Sequence, residues 1–147
     1  MNQVTVSVEI ERALDEVWNV FNDPQHIIHW NFAHESWECP AASNDLRKGG
    51  QLNVRMQAKD GSFGFDLIGI YDEIIDRQIL RYHLEDGRNV EAVFEELSAN
   101  KTMLTENFDP ENVNPESFQK EGWQAILDNF KKYAEKYLIT PESYFLL

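Results

Sequence analysis

Val4, Val6, Val8 and Ile10 alternate with Thr5, Ser7 and Glu9, the two-residue period of a strand with one buried face. From Leu14 to Phe21 the spacing turns helical, with Val17, Trp18 and Phe21 clustered, and Asp23-Pro24 restarts a short second helix toward Trp30, since proline suits a first helical turn. Phe32 to Cys39 is aromatic-rich and ends at Pro40, which predicts a short strand and a loop running to Gly49-Gly50. Strands then follow at about 51–58, 63–74, 78–84, 89–97 and 102–108. Asp60-Gly61 and Asp86-Gly87 are strong hairpin turns, Asp76-Arg77 and Ala99-Asn100 weaker ones, so these strands form an antiparallel meander.

The pattern changes again at Asn114. Trp123, Ile126, Leu127, Phe130, Ala134, Tyr137 and Leu138 recur at the helical period, while Lys120, Glu121, Asp128, Lys131, Lys132, Glu135 and Lys136 fall mostly elsewhere, predicting one amphipathic helix from Asn114 to about Leu138. Asn114 serves as its N-cap, Pro115 as its first residue, and Glu116 complements the positive helix end. Such a helix spans roughly 36 Å, enough to cross a small domain. Strands followed by one long helix imply an α+β sheet wrapped around that helix, a layout with room for a cavity.

Composition narrows the functions. The 147 residues fit one domain over 1–138 with a tail at 139–147, and a domain this size buries roughly 68–70% of its unfolded surface, enough for a full core. Nine Phe, five Tyr and four Trp supply rigid walls that suit a pocket as well as a core. A formal charge of −13 repels phosphate backbones and anionic lipid, which argues against nucleic acid and against membrane insertion. No apolar stretch approaches 18 residues, the N-terminus has no secretion-signal layout, and Cys39 stands alone, so a cytoplasmic protein without an intrachain disulfide is expected. A monomer or a homodimer fits.

The element order, with several local words, resembles a known family. Val17-Trp18, Asp23-Pro24, Trp30-Asn31, DLRKGG at 45–50, DGSFGFD at 60–66, Asp86-Gly87-Arg88 and GWQAILDNFKKY at 122–133 are similar to the bacterial branch related to the activator of the 90-kDa heat-shock protein ATPase. That branch lies within the START-like, or SRPBCC, superfamily that includes the birch pollen allergen. The resemblance runs from Val4 to Leu138; Ala13 stands where many relatives carry proline. It implies a helix-grip fold, a curved antiparallel sheet of six or seven strands around a long C-terminal helix, with a hydrophobic cavity between them. Superfamily members bind lipids, hormones or metabolites, cyclise or dehydrate polyketides, or act as co-chaperone domains. The extra N-terminal domain of the eukaryotic co-chaperone has no counterpart here.

Strand parity maps the expected cavity wall, because residues two apart share a face. Leu52, Val54 and Met56 form one row, Phe63, Phe65, Leu67, Gly69 and Tyr71 a second, and Leu80, Tyr82 and Leu84 a third, all predicted to face the helix. On the last strand Glu106 sits between Leu104 and Phe108 on the apolar side. A carboxyl there is either desolvated, with a raised pKa suited to acid–base work or to a ligand's polar end, or else paired with a cation or solvated at the strand end. Tyr71 and Tyr82 are further inward polar tips. Trp30, Phe32, His34 and Trp37 are expected at a ligand entrance that the family resemblance places at one end of the cavity, or as ordinary packing under a loop. Trp123 is the expected floor, with Ile126 beside it, and Gly122 marks either a close helix–sheet approach or space left open.

Other chemistries fit poorly. His26, His29 and His34 with Glu35 lack any metal-binding word, Gly49-Gly50 lacks the phosphate-loop lysine spacing, and Cys39 has no nucleophile arrangement around it. No metal and no cofactor are expected. Non-catalytic binding of a small hydrophobic or amphipathic molecule through Trp30, Phe32, His34, Trp37, Phe65, Tyr71, Tyr82, Glu106, Trp123 and Ile126 ranks first. A polyketide cyclase- or dehydratase-like enzyme using Glu106 with Tyr71 or Tyr82 ranks second. A co-chaperone-like domain meeting a protein partner ranks third.

Overall fold

The computed structural model describes residues 3–137. Strand β1 (Val4–Ile10) is followed by helices α1 (Leu14–Asn22) and α2 (Pro24–Ile27), then by β2 (Trp37–Asn44), β3 (Gln51–Ala58), β4 (Gly64–Ile75), β5 (Ile79–Leu84), β6 (Asn89–Ser98), β7 (Lys101–Phe108) and helix α3 (Glu116–Tyr137). The seven strands form one antiparallel sheet in the order β1-β7-β6-β5-β4-β3-β2, curled into a half-barrel against α3. Consecutive strands pair because each turn reverses the chain tightly: Gly61 and Gly87 sit at φ of 79° and 89°, values a side chain resists.

Three boundaries differ from the sequence pattern. Phe32 to Ser36 is not a strand; β2 begins only at Trp37 and runs past Pro40 to Asn44, with a register shift between Glu38 and Ala41. Proline is tolerated there because β2 is an edge strand with a bulge. Asn114 does not cap α3: the first carbonyl used by its ladder is that of Pro115, which accepts from Gln119 N–H at 3.1 Å. The approach to the helix is fixed instead by the side chains of Glu111 and Gln119, on either side of Asn114. The Glu111 carboxylate accepts from Val113 and Asn114 N–H, and buried Gln119 accepts from Glu111 N–H while donating to the Glu111 and Asn114 carbonyls. The helix end expected at Leu138 and the 139–147 tail lie outside the described residues.

The helix lies along one side of the sheet. Gln124 Nε2 donates to Ser7 O at 2.9 Å, Lys131 Nζ to Glu9 O at 2.6 Å, and the Glu135 carboxylate accepts from Glu11 N–H at 2.8 Å. Leu127, Phe130 and Ala134 point the other way into a fully buried core with Ile10, Val17, Leu104 and Phe108. Phe130 joins an aromatic cluster, with ring centroids 4.8 Å from Trp30 and 5.4 Å from Phe21. Packed along β1, α3 leaves the concave face of β3, β4 and β5 only partly covered.

Candidate functional site

That uncovered region is a cavity of about 650 Å³, walled by the inward rows of β3, β4, β5 and β7 on one side and by the N-terminal half of α3 on the other. All ten singled-out residues border it: Trp30, Phe32, His34, Trp37, Phe65, Tyr71, Tyr82, Glu106, Trp123 and Ile126. Their depths differ. Trp30 is only 3% exposed and donates its indole N–H to Val20 O at 3.2 Å, so it belongs to the inner wall and not to an entrance. The mouth is lined by half-buried Phe32 and Trp37 and exposed His34, whose Nδ1 lies 2.7 Å from Ser36 Oγ.

Phe63 and Phe65 also sit at this rim. Parity places them on the inward face, yet Phe63 is 67% exposed and Phe65 is exposed as well, because the start of β4 projects beyond the cover given by α3. Trp37 lies 6.3 Å and 6.2 Å from their ring centroids. Opposite them Phe118, 63% exposed on the first turn of α3, closes the ring of aromatics. Phe118 falls outside the helix's apolar stripe, and its only sequence signal was a large apolar residue in an otherwise polar turn. Asn44, Arg88 and Glu111 were missed too; nothing in their local sequence marks them.

Glu106 carries the polarity of the interior. It is 6% exposed, in a cross-strand row with Val6 on β1 and Ala92 on β6, and borders the cavity. Among the described residues no group hydrogen-bonds or ion-pairs with it, so the structure supplies no cation for the paired reading. Burial alone pushes its pKa up to about 8, so it is largely protonated at neutral pH. Small Ala92, itself fully buried, separates the carboxyl from Leu80 on β5, and Tyr82 lies near enough to feel the Glu106 charge.

The two tyrosines differ in commitment. Tyr71 donates its hydroxyl to Asn44 Oδ1 at 2.7 Å, and burial raises its pKa far above the usual phenol range. Tyr82 is raised by burial and then by the nearby Glu106 charge; its hydroxyl has no hydrogen-bond partner among the described residues. The rings meet edge to face at 5.9 Å. Gly69 makes this possible: a Cβ there would lie 2.6 Å from the Tyr82 ring.

Trp123 stacks on Phe108 with centroids 4.0 Å apart and planes 10° from parallel, presenting one face of a rigid slab to the cavity. At Gly122 an added Cβ meets nothing within 4 Å, so this glycine leaves space and does not serve a close helix–sheet contact. Gly122→Ala is therefore expected to stabilise the protein by about 1 kcal/mol through helix propensity, read as a shifted urea midpoint at unchanged slope; a loss of stability would contradict the open space.

The remaining polar candidates lie elsewhere. His26 Nδ1 is 2.8 Å from Tyr133 Oη and His29 stacks on the same ring at 5.5 Å, outside the cavity; burial lowers the His26 pKa. No cluster of three or more His, Cys, Asp or Glu suited to a metal occurs among the described residues. Burial pushes the Cys39 thiol up to about 11, which leaves it an unreactive core group. No helix among the described residues is long and apolar enough to cross a membrane.

Sheet, helix and hollow together define a helix-grip α+β protein. The profile of the family described as "Activator of Hsp90 ATPase homolog 1-like protein" matches residues 12–135. An AHSA1-like protein from Aeromonas hydrophila is 36% identical with a TM-score of 0.83, over 94% of this chain and 96% of that one. A protein from Cytophaga hutchinsonii is 43% identical with a TM-score of 0.79, over 94% of this chain and 95% of that one. A protein from Nitrosomonas europaea, 17% identical with a TM-score of 0.81 over 95% and 97% of the two chains, shares the fold alone. No curated protein matches the chain. The chain belongs to the activator of Hsp90 ATPase homolog 1-like family.

Proposed function

We propose that this chain is a cytoplasmic, non-catalytic binding protein for a small hydrophobic or amphipathic molecule held between the sheet and α3. The observation that carries this reading is an aromatic-lined cavity of about 650 Å³ with one unpaired carboxyl on its wall. That volume lies within the roughly 300–1,000 Å³ typical of small-molecule sites, which combine apolar walls with a few placed polar groups. Rim aromatics Phe63, Phe65 and Phe118 give an apolar guest a path inward.

Native mass spectrometry of the purified chain and a thermal-shift screen with lipids, sterol-like compounds and aromatic polyketides test the reading. A retained small molecule, or a ligand raising the melting temperature in a dose-dependent way, is the expected result. No ligand from any class, together with a solvent-inaccessible, filled interior, overturns it.

A second reading, acid–base catalysis, draws on the same Glu106, whose pKa of about 8 is near operating pH. The tyrosines weaken it, since Tyr71 is committed to Asn44 and burial holds both phenols protonated. Turnover of a polyketide-like substrate that disappears in Glu106→Gln while binding persists would favour catalysis over simple binding.

A further inference from the structure

We infer that the guest of this cavity is a basic amphiphile, an apolar molecule bearing one amine whose ammonium group sits against Glu106. The inference rests on the binding function proposed above and deepens it. Its first support is the polar layout of the wall. The titratable and charged groups bordering the cavity are His34, Tyr71, Tyr82, Arg88, Glu106 and Glu111. Arg88 is engaged by Asp86 at 2.7 Å, and His34 is held at the exposed rim by Ser36. A carboxylate guest would therefore find no free cation at depth to balance its charge.

The second support is the state of Glu106. Its row holds Val6 on β1, Ala92 on β6 and Leu80 on β5, with Tyr82 near enough to feel its charge; α3 contributes Phe118, Gln119, Gly122, Trp123 and Ile126 to the wall, none of them charged. Removing a carboxyl from water without a partner is costly, and a cation that supplies charge-assisted hydrogen bonds offsets that cost. The third support is the walls: the faces of Tyr82 and Trp123 attract a cation through their ring quadrupoles, and a net charge of −13 concentrates cations at the mouth. At neutral pH the carboxyl holds a proton. Pairing with an ammonium group expels that proton to the buffer while the amine keeps its own.

Calorimetry of the wild-type chain with phenylbutylamine, phenylbutanol and phenylbutyrate, in two buffers of different ionisation enthalpy, tests the inference. The amine is expected to bind tightest and to release about one proton per complex at pH 7; its affinity rises about tenfold per pH unit below 8 and then levels. The alcohol releases none. Glu106→Gln weakens the amine about tenfold or more and weakens the alcohol clearly less. The proton count is read on the wild-type chain, so it stands even where the variant fails to fold. Equal binding of amine and alcohol without proton release, or tightest binding of the carboxylate, overturns the basic guest and leaves cavity binding intact. Failure of all three to bind overturns the basic guest and argues against cavity binding as well.

Discussion

Between pH 6.5 and pH 8 the ligand-free wild-type protein is expected to lose about 1.5 kcal/mol of unfolding free energy, and Glu106→Gln almost none. The sign follows from the folded-state pKa of about 8 against an ordinary value of 4.5. A raised pKa means that the folded chain binds the proton more tightly. Its contribution is whole below 4.5 and drains away as pH rises through 8, for a total of about 4–5 kcal/mol. No other shifted group titrates inside the chosen window. His26, lowered by burial, loses its contribution only as pH falls below 6.5. Glu91, held low by Arg81, and Glu111, held low by the Asn114 and Val113 N–H groups, lose theirs below 4.5. Cys39 and the two tyrosines, raised by burial, act only above 9. Urea titrations at half-unit pH steps on both proteins read the difference, and parallel pH profiles would show that Glu106 is hydrated or paired in solution.

Phe130→Ala is expected to cost about 3–5 kcal/mol, the usual range for deleting a buried aromatic. The ring is completely buried and joins α3 to the Trp30 and Phe21 rings. Its removal leaves a void bordered by rigid groups that cannot collapse inward, so the cost falls toward the upper end. Phe130→Leu, which keeps most of the volume, should lose clearly less. Equilibrium denaturation with a constant slope measures both; an alanine variant within about 1 kcal/mol of wild type would mean that α3 is held chiefly by its polar contacts to β1.

The sheet was legible because its signals are local. Alternation along β1 and β3 to β7, and Asp-Gly pairs at two turns, need no knowledge of the rest of the chain. Glu106 stood out for the same reason, one charged residue in phase with Leu104 and Phe108. Its burial and lack of a partner were not legible, since they depend on Ala92 and Val6 arriving beside it from two other strands. Asn114 was misread as a cap because the side chains of Gln119 and Glu111, and not its own, supply the loop's hydrogen bonds. Phe63 obeys its parity yet lies in the open, because parity reports which face a side chain takes and not how far the opposing helix reaches. Phe118 escaped notice for the converse reason: its position off the helical stripe points it to the rim that this short reach creates.

The side chains of Gln124 and Lys131 occupy the Ser7 and Glu9 carbonyls, and at the opposite border of the sheet Pro40 and the register shift interrupt β2. Neither border offers a straight run of unclaimed peptide groups to a strand from another molecule. Cross-molecule sheet growth is thereby disfavoured at both ends, and two copies meeting in solution would have to associate through side-chain surfaces instead.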